Sequence, residues 1–225
     1  MYYPVSYYDL VFIIDISSTM EVYFQHIKET INRICNDAIC LLKELYHVDY
    51  QMRGKIITYG DIGERVPIEH GEFYDLKENY EQFYNSLDNL RSVGRSTLSN
   101  GLEAIATAIK DVDWTTGGNR RRHVIILFSD KPALKLSQRV YSKIYPKDMP
   151  KDLKELSDWW EEINYDFKST YQAKSGRMIV LAPNCYPWYD MTPWNRYWPI
   201  FSRAGEGLGD VELQSITDIF VEDDF

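Results

Sequence analysis

A chain of 225 residues has room for one well-buried α/β domain with insertions and is too short for two domains of average size. Its formal net charge of -9 argues against a protein that grips nucleic acid through its overall field, and the lack of any run of about 18 apolar residues argues against a helical membrane span. Hydrophobic residues at 44% and charged residues at 26% are ordinary for a globular protein, but 18 tyrosines and 6 tryptophans make this one unusually aromatic.

Taken in order, the N-terminus MYYPVSYYDL has neither a basic n-region nor an apolar h-region. Leu10 to Ile14 then form a wholly apolar run that ends in Asp15, the pattern of a central parallel strand buried on both faces. After it Asp15, Ser17 and Thr19 alternate with Ile16 and Ser18, so an extended or tightly turned backbone aims three oxygen-bearing side chains into one small volume. From Val22 to Tyr46, Ile27, Ile31, Ile34, Ala38, Leu41 and Leu45 step by three and four and predict a long helix lying on the sheet. Strand-like residues at 48–52 and 55–59 flank Gly54 and predict a hairpin or paired strands, with Gly60 and Gly63 breaking the pattern before Val66 to Glu69.

Tyr80, Phe83, Leu87 and Leu90 predict a second helix, and Leu98, Leu102, Ile105 and Ile109 a third, with Ser96 and Thr97 between them. The basic cluster Arg120 to Arg122 reads as a solvated turn leading into HVIILFSD, an apolar strand that again ends in an aspartate, Asp130. Leu153, Leu156, Trp160, Ile163 and Phe167 predict a further helix, and Met178 to Ala182 a third apolar strand closed by Pro183. Such alternation predicts an α/β fold: a doubly wound, mostly parallel, Rossmann-like sheet with helices on both faces, in a single domain over 1–225. The aromatic segment 184–225 completes or covers that sheet. Pro183, Pro187, Pro193 and Pro199 stiffen it, which favours a lid over Trp188, Trp194 and Trp198 serving as partner hot spots, before a closing amphipathic stretch from Val211 to Phe220.

One carboxylate with two hydroxyls is an oxygen-rich set that suits a hard cation, and ligands of open parallel sheets bind at the carboxyl ends of the strands. The residues at those ends and at helix starts are Asp15, Ser17, Thr19, Ser96 or Thr97, and Asp130. Taken together they resemble the metal-ion-dependent adhesion site of von Willebrand factor A domains: Asp-x-Ser-x-Ser after the first strand, a threonine before a middle helix, and an aspartate after the next apolar strand. The resemblance spans roughly residues 8–182. Thr19 stands in place of the usual serine, Ser18 in place of a common glycine, and Lys131 in place of the glycine that often follows the last aspartate. Where the family often reads Gly-Thr-Asn-Leu-Ser-x-Gly-Leu, this chain has Arg95 to Leu102, which puts Ser96 at the threonine position and Thr97 beside it.

The resemblance implies a non-enzymatic protein-interaction module that holds Mg2+, with Mn2+ or Ca2+ as substitutes, and uses it to bind an Asp or Glu side chain of a partner protein. It further suggests the intracellular bacterial members found in tellurium-resistance-like operons, whose partners would be ATPases, kinases or phosphatases of the same system. With no leader and three cysteines (Cys35, Cys40, Cys185) that lack metal-ligand spacing, a cytoplasmic location with reduced thiols is expected, with neither nucleic acid nor membrane as a partner.

Three competing readings remain at this level. Ser17, Ser18 or Thr19 could simply cap the following helix. The stretch Asp15 to Thr19 also fits loosely the Asp-x-x-x-Thr motif of Mg2+-dependent haloacid dehalogenase-like phosphohydrolases, with Asp15 as nucleophile, but Ser17 stands where that family has its second acid, and no acid follows Asp130 in Lys131 to Lys135. A metal-free scaffold of the same fold is the third. The scattered His26, His47, His70 and His123 show no metal or dyad spacing, and the glycines 205, 207 and 209 follow no apolar strand and read as a plain loop.

Overall fold

The computed structural model describes residues 6–45, 50–95, 97–116, 120–164, 175–202, 216 and 219. Ser6–Asp15 form β1, and a short 3-10 turn at Ser18–Tyr23 leads into α1, Phe24–Leu45. There follow β2 at Tyr50–Tyr59, two-residue strands β3 at Glu69–His70 and β4 at Tyr74–Asp75, α2 at Tyr80–Leu87 and α3 at Gly101–Asp111. The chain continues through β5 at Arg120–Phe128, α4 at Leu153–Asn164, β6 at Gly176–Pro183 and β7 at Tyr197–Ser202.

Among the described residues these seven strands make one sheet in the order β3-β2-β1-β5-β6-β7, with β4 also on β2. The five longer strands are mutually parallel, whereas β3 and β4 run antiparallel to β2. In β1 every residue from Leu10 to Ile14 is fully buried, each contributing about 1.5–3 kcal/mol of burial free energy. Alternation divides them between two cores: Leu10, Phe12 and Ile14 pack with Ile27, Ile31 and Ile34 of α1 and Phe83 of α2, while Val11 and Ile13 pack with Leu102 and Ile105 of α3 and Leu156 and Trp160 of α4. Asp15 shares the parity of Val11 and Ile13, so its side chain leaves the strand on the α3 face. No helix among the described residues is long and apolar enough to cross a membrane.

Several local expectations need correction. Residues 50–59 are one continuous strand, parallel to β1, and not a hairpin. Gly54 breaks nothing there; a Cβ on it would stand 2.9 Å from Leu76 Cδ2 and 3.0 Å from the Phe83 ring, so it lets α2 and the β4 turn lie flat on the strand. Arg120 to Arg122 are not a solvated turn but the first rungs of β5, paired with Ser6 to Tyr8, and Arg122 is buried. Leu98 falls outside α3 and is exposed.

The aromatic segment does more than cover. Residues 197–202 add β7 to the sheet's edge, with Pro199 opposite Val180, a position an edge strand tolerates because its outer side needs no N–H donor. Ahead of it, Trp188 is fully buried and Tyr197 donates its hydroxyl to the Trp188 carbonyl at 2.8 Å. Phe167, the glycines 205–209 and most of the amphipathic stretch 211–220 lie outside the described residues, although Ile216 and Ile219 are buried there.

Candidate functional site

From β1 the chain crosses through α1 to β2 on one side, and later reaches β5 on the other side through α2 and α3. The carboxyl ends of β1 and β5 therefore flank the point where connections diverge, the place where open parallel sheets leave a crevice. Asp15 ends β1, and Ser129 and Asp130 follow β5.

Three pieces of chain are tied together at this rim. The Ile16 N–H donates to the Tyr59 carbonyl at 2.8 Å and the Val93 N–H to the Ile16 carbonyl at 2.7 Å, which fixes the turn after β1. The segment before α3 is docked on both neighbours: Asn100 N–H donates to the Gly60 carbonyl at 3.2 Å, Asn100 Oδ1 accepts from Ile62 N–H at 2.8 Å, and Leu134 N–H donates to the Ser99 carbonyl at 2.9 Å. Ser99 and Ala133 also form an isolated bridge.

Within that frame Asp15 is fully buried and its Oδ1 accepts the Ser17 N–H at 2.9 Å, while the Ser129 hydroxyl lies 3.2 Å from its Oδ2. Ser17 Oγ and Thr19 Oγ1 are 3.4 Å apart. The Ser17 side chain makes no capping bond to the helical turn that follows, so its hydroxyl is left for the rim. Asp130 lies within electrostatic range of Asp15, and its buried Oδ1 accepts no hydrogen bond among the described residues. The cation beside it is Lys131, whose Nζ is 3.8 Å from that oxygen and whose side chain is only 6% exposed. Thr97 is exposed on the docked segment, and Ser96 lies outside the described residues.

Burial pushes the Asp15 carboxyl above its ordinary range and Asp130 adds to the shift, while hydrogen bonds from Ser17 and the Lys131 charge oppose it. Burial likewise raises the Tyr59 phenol well above its usual value, helped by the nearby Asp15 charge. A buried aspartate beside a second one costs free energy in the ionised state unless a cation is near. The donors gathered here are two carboxylates and several hydroxyls, all oxygen, which fits a hard divalent ion such as Mg2+. Among the described residues no three His, Cys, Asp or Glu side chains cluster as they would around a metal ion.

Other members of the rim escaped the sequence reading. Ser129 had a signal, since it directly precedes Asp130. Tyr59 had none: its hydroxyl reaches the rim only because β2 runs in register with β1, which sets Tyr59 opposite Asp15. Trp188 is non-local too; its indole N–H donates to the Lys131 carbonyl at 2.9 Å, and its ring fits because residue 101 is glycine, where a Cβ would stand 2.8 Å from Trp188 Cη2. On α3 the buried Glu103 accepts the Tyr145 hydroxyl at 2.9 Å, with its carboxyl raised by burial.

A mostly parallel open sheet with carboxylates and hydroxyls near its switch point defines a doubly wound α/β domain of the Rossmann-like kind. Residues 9–149 match the sequence model of the von Willebrand factor type A domain, and the chain belongs to that family. No curated protein matches it. Among solved structures it is similar to proximal thread matrix protein 1 from the mussel byssus, at 11% identity and a TM-score of 0.57, over 96% of this chain and 45% of that one. A second structure of the mussel protein, described as having a zinc-occupied MIDAS motif, matches at 10% identity and a TM-score of 0.56, over 96% and 45% of the two chains. The present chain thus spans less than half of that neighbour's length, and the likeness is one of fold.

Proposed function

We propose that the chain is a protein-interaction module whose rim binds a divalent cation, Mg2+ in the cell, and through it an Asp or Glu side chain of a partner protein. The observation that carries this reading is the buried Oδ1 of Asp130, which accepts no hydrogen bond among the described residues and lies within electrostatic range of Asp15, whose neighbour Ser17 has its hydroxyl 3.4 Å from that of Thr19. Asp15, Ser17, Thr19 and Asp130 would hold the ion, with Ser96 or Thr97 completing the set. When bound, the ion supplies a positive charge with an exchangeable position for a carboxylate oxygen. The residues' own part is to hold that charge at a fixed point: Asp15 is oriented by the Ser17 N–H, and Ser129 links it to the β5 end. The zinc-occupied MIDAS motif named for the mussel protein supports the same use of the fold.

No reaction is assigned to the site. Asp15 is fully buried and already engaged by Ser17 and Ser129, a poor position for a phosphoryl nucleophile, and Ser17 stands where a haloacid dehalogenase-like enzyme has its second acid. Three free cysteines, at 35, 40 and 185, favour a reducing cytoplasm and agree with the intracellular bacterial members of tellurium-resistance-like systems, whose ATPases, kinases or phosphatases are the partners to look for first.

Calorimetric titration with Mg2+, Mn2+ and Ca2+, followed by capture of partners from native lysate in Mg2+ or in EDTA, tests the proposal. A partner released by EDTA and not captured by Asp130→Ala supports it; capture that ignores both chelation and the substitution rejects it.

A further inference from the structure

We propose that Lys131 is a tethered counter-ion of the Asp15 and Asp130 pair, and that a divalent cation enters the rim by displacing its ammonium group. The inference rests on the metal-binding reading above and adds a regulatory device to it. When both are ionised, Asp15 and Asp130 place two negative charges in a volume nearly closed to water, since Asp15 is fully buried and the Asp130 side chain is 15% exposed. Hydrogen bonds at Asp15 come from neutral groups, the Ser17 N–H and the Ser129 hydroxyl, which leave the net charge untouched. The Lys131 ammonium lowers that charge from two negatives to one, and it also acts electrostatically on Asp15.

Geometry limits what the ammonium does for Asp130. At 3.8 Å it is within ion-pair range of Oδ1 but beyond hydrogen-bond length, and that oxygen accepts no bond from any described residue. Lys131 therefore neutralises charge without using the lone pairs that a hard cation would coordinate.

The Lys131 backbone is fixed from two sides: its N–H donates to Ser129 Oγ at 3.4 Å, and its carbonyl accepts the Trp188 indole N–H at 2.9 Å. Trp188 in turn is fully buried against Gly101. The backbone is thus pinned while the charge sits at the end of a four-carbon arm, so exchange of ammonium for metal calls for a change in that side chain and none in the rim. A glycine at this position would offer the metal no competitor. Here the cation must compete with a tethered resident charge, which weakens divalent binding and raises the metal level at which the module becomes competent for an acidic partner. Once displaced, the ammonium stays tethered beside the rim and adds to the positive field that meets the partner's carboxylate.

The test uses the full chain with Lys131→Met, which keeps the apolar stem, and Lys131→Arg, which keeps the charge. Mn2+ is titrated by calorimetry, and melting is followed in EDTA. Removing a like charge a few Å from the ion should tighten Mn2+ binding by roughly tenfold or more in Lys131→Met, with Lys131→Arg remaining near wild type. In EDTA, Lys131→Met should melt below wild type, and adding Asp130→Asn should restore part of the loss. Equal Mn2+ affinities for wild type and Lys131→Met overturn the counter-ion while leaving the metal site intact. Absence of Mn2+ binding in every variant overturns the metal reading and with it the displacement step. An EDTA melting point unaffected by Lys131→Met overturns the counter-ion whatever the metal does.

Discussion

The hydroxyl of Ser129 lies 3.2 Å from Oδ2 of Asp15, joining the carboxyl ends of β1 and β5 directly above the sheet. Ser129 Oγ also accepts the Lys131 N–H at 3.4 Å, so one small side chain sets both the orientation of a buried carboxylate and the path of the chain through Asp130 and Lys131. Ser129→Ala leaves a buried acceptor short of a donor and should cost about 2 kcal/mol of stability, with weaker divalent binding. Ser129→Thr, which keeps the hydroxyl, should recover most of the loss in urea denaturation.

The fit of Trp188 over Gly101 gives a second prediction. A methyl group at position 101 would meet Trp188 Cη2 at 2.8 Å and the Tyr59 hydroxyl at 3.1 Å, and neither is the end of a flexible chain. Gly101→Ala should therefore destabilise by about 1–3 kcal/mol, against the usual gain from replacing glycine in a helix. Because Trp188 also holds the Lys131 carbonyl, tryptophan fluorescence of this variant should become sensitive to divalent metal.

At the opposite end of β1, Asp9 is 1% exposed and accepts a two-pronged ion pair from Arg53, with Nε and Nη2 each 2.8 Å from a carboxylate oxygen. The Thr115 N–H adds a third bond at 2.7 Å. Arg53→Met leaves Asp9 buried without its cation and should cost about 3 kcal/mol, the lower end for a buried pair because the arginine side chain is 29% exposed. Asp9 lies six residues before Asp15, roughly 20 Å along a strand, so metal binding at 25 °C should be unchanged. Calorimetry on the folded variant checks this.

His123 supplies a pH dependence. Its Nε2 lies 2.9 Å from the Thr115 carbonyl, to which the ring N–H donates, and burial lowers its pKa below the ordinary 6.5. The unfolded chain takes up the proton first as pH falls, so the stability this residue contributes is present above 6.5 and is lost as pH drops through the lowered folded value. The melting temperature of wild type should therefore fall between about pH 7 and about pH 5 more steeply than that of His123→Phe. Equal slopes would show that the histidine is not held neutral.

Much of this architecture was legible because each element announced itself locally. Leu10 to Ile14 and Val124 to Phe128 read as buried parallel strands since no polar residue interrupts them, and Asp15 and Asp130 stood out as the first charges after them. The stripe from Ile27 to Ala38 read as a helix for the same reason. What was not legible depends on partners distant in sequence. Gly54 signals a break in isolation and is a packing necessity only once Phe83 lies over it. Arg120 to Arg122 look solvated until β1 pairs with them, and Pro199 argues against a strand unless that strand is the last in the sheet. At the site, the aspartates and hydroxyls were visible, but the roles of Tyr59 and Trp188 follow from register and from a distant aromatic loop.

Thermal unfolding with and without Mn2+ tests most directly whether the rim around Asp15 and Asp130 holds a divalent ion in the folded state. At about 100 times Kd the ion should add about 2.7 kcal/mol, or roughly 5–10 °C for a chain of this size, with EDTA reversing the shift and Asp130→Asn showing none. An unchanged melting temperature in millimolar Mn2+, or an equal shift in wild type and Asp130→Asn, would contradict it.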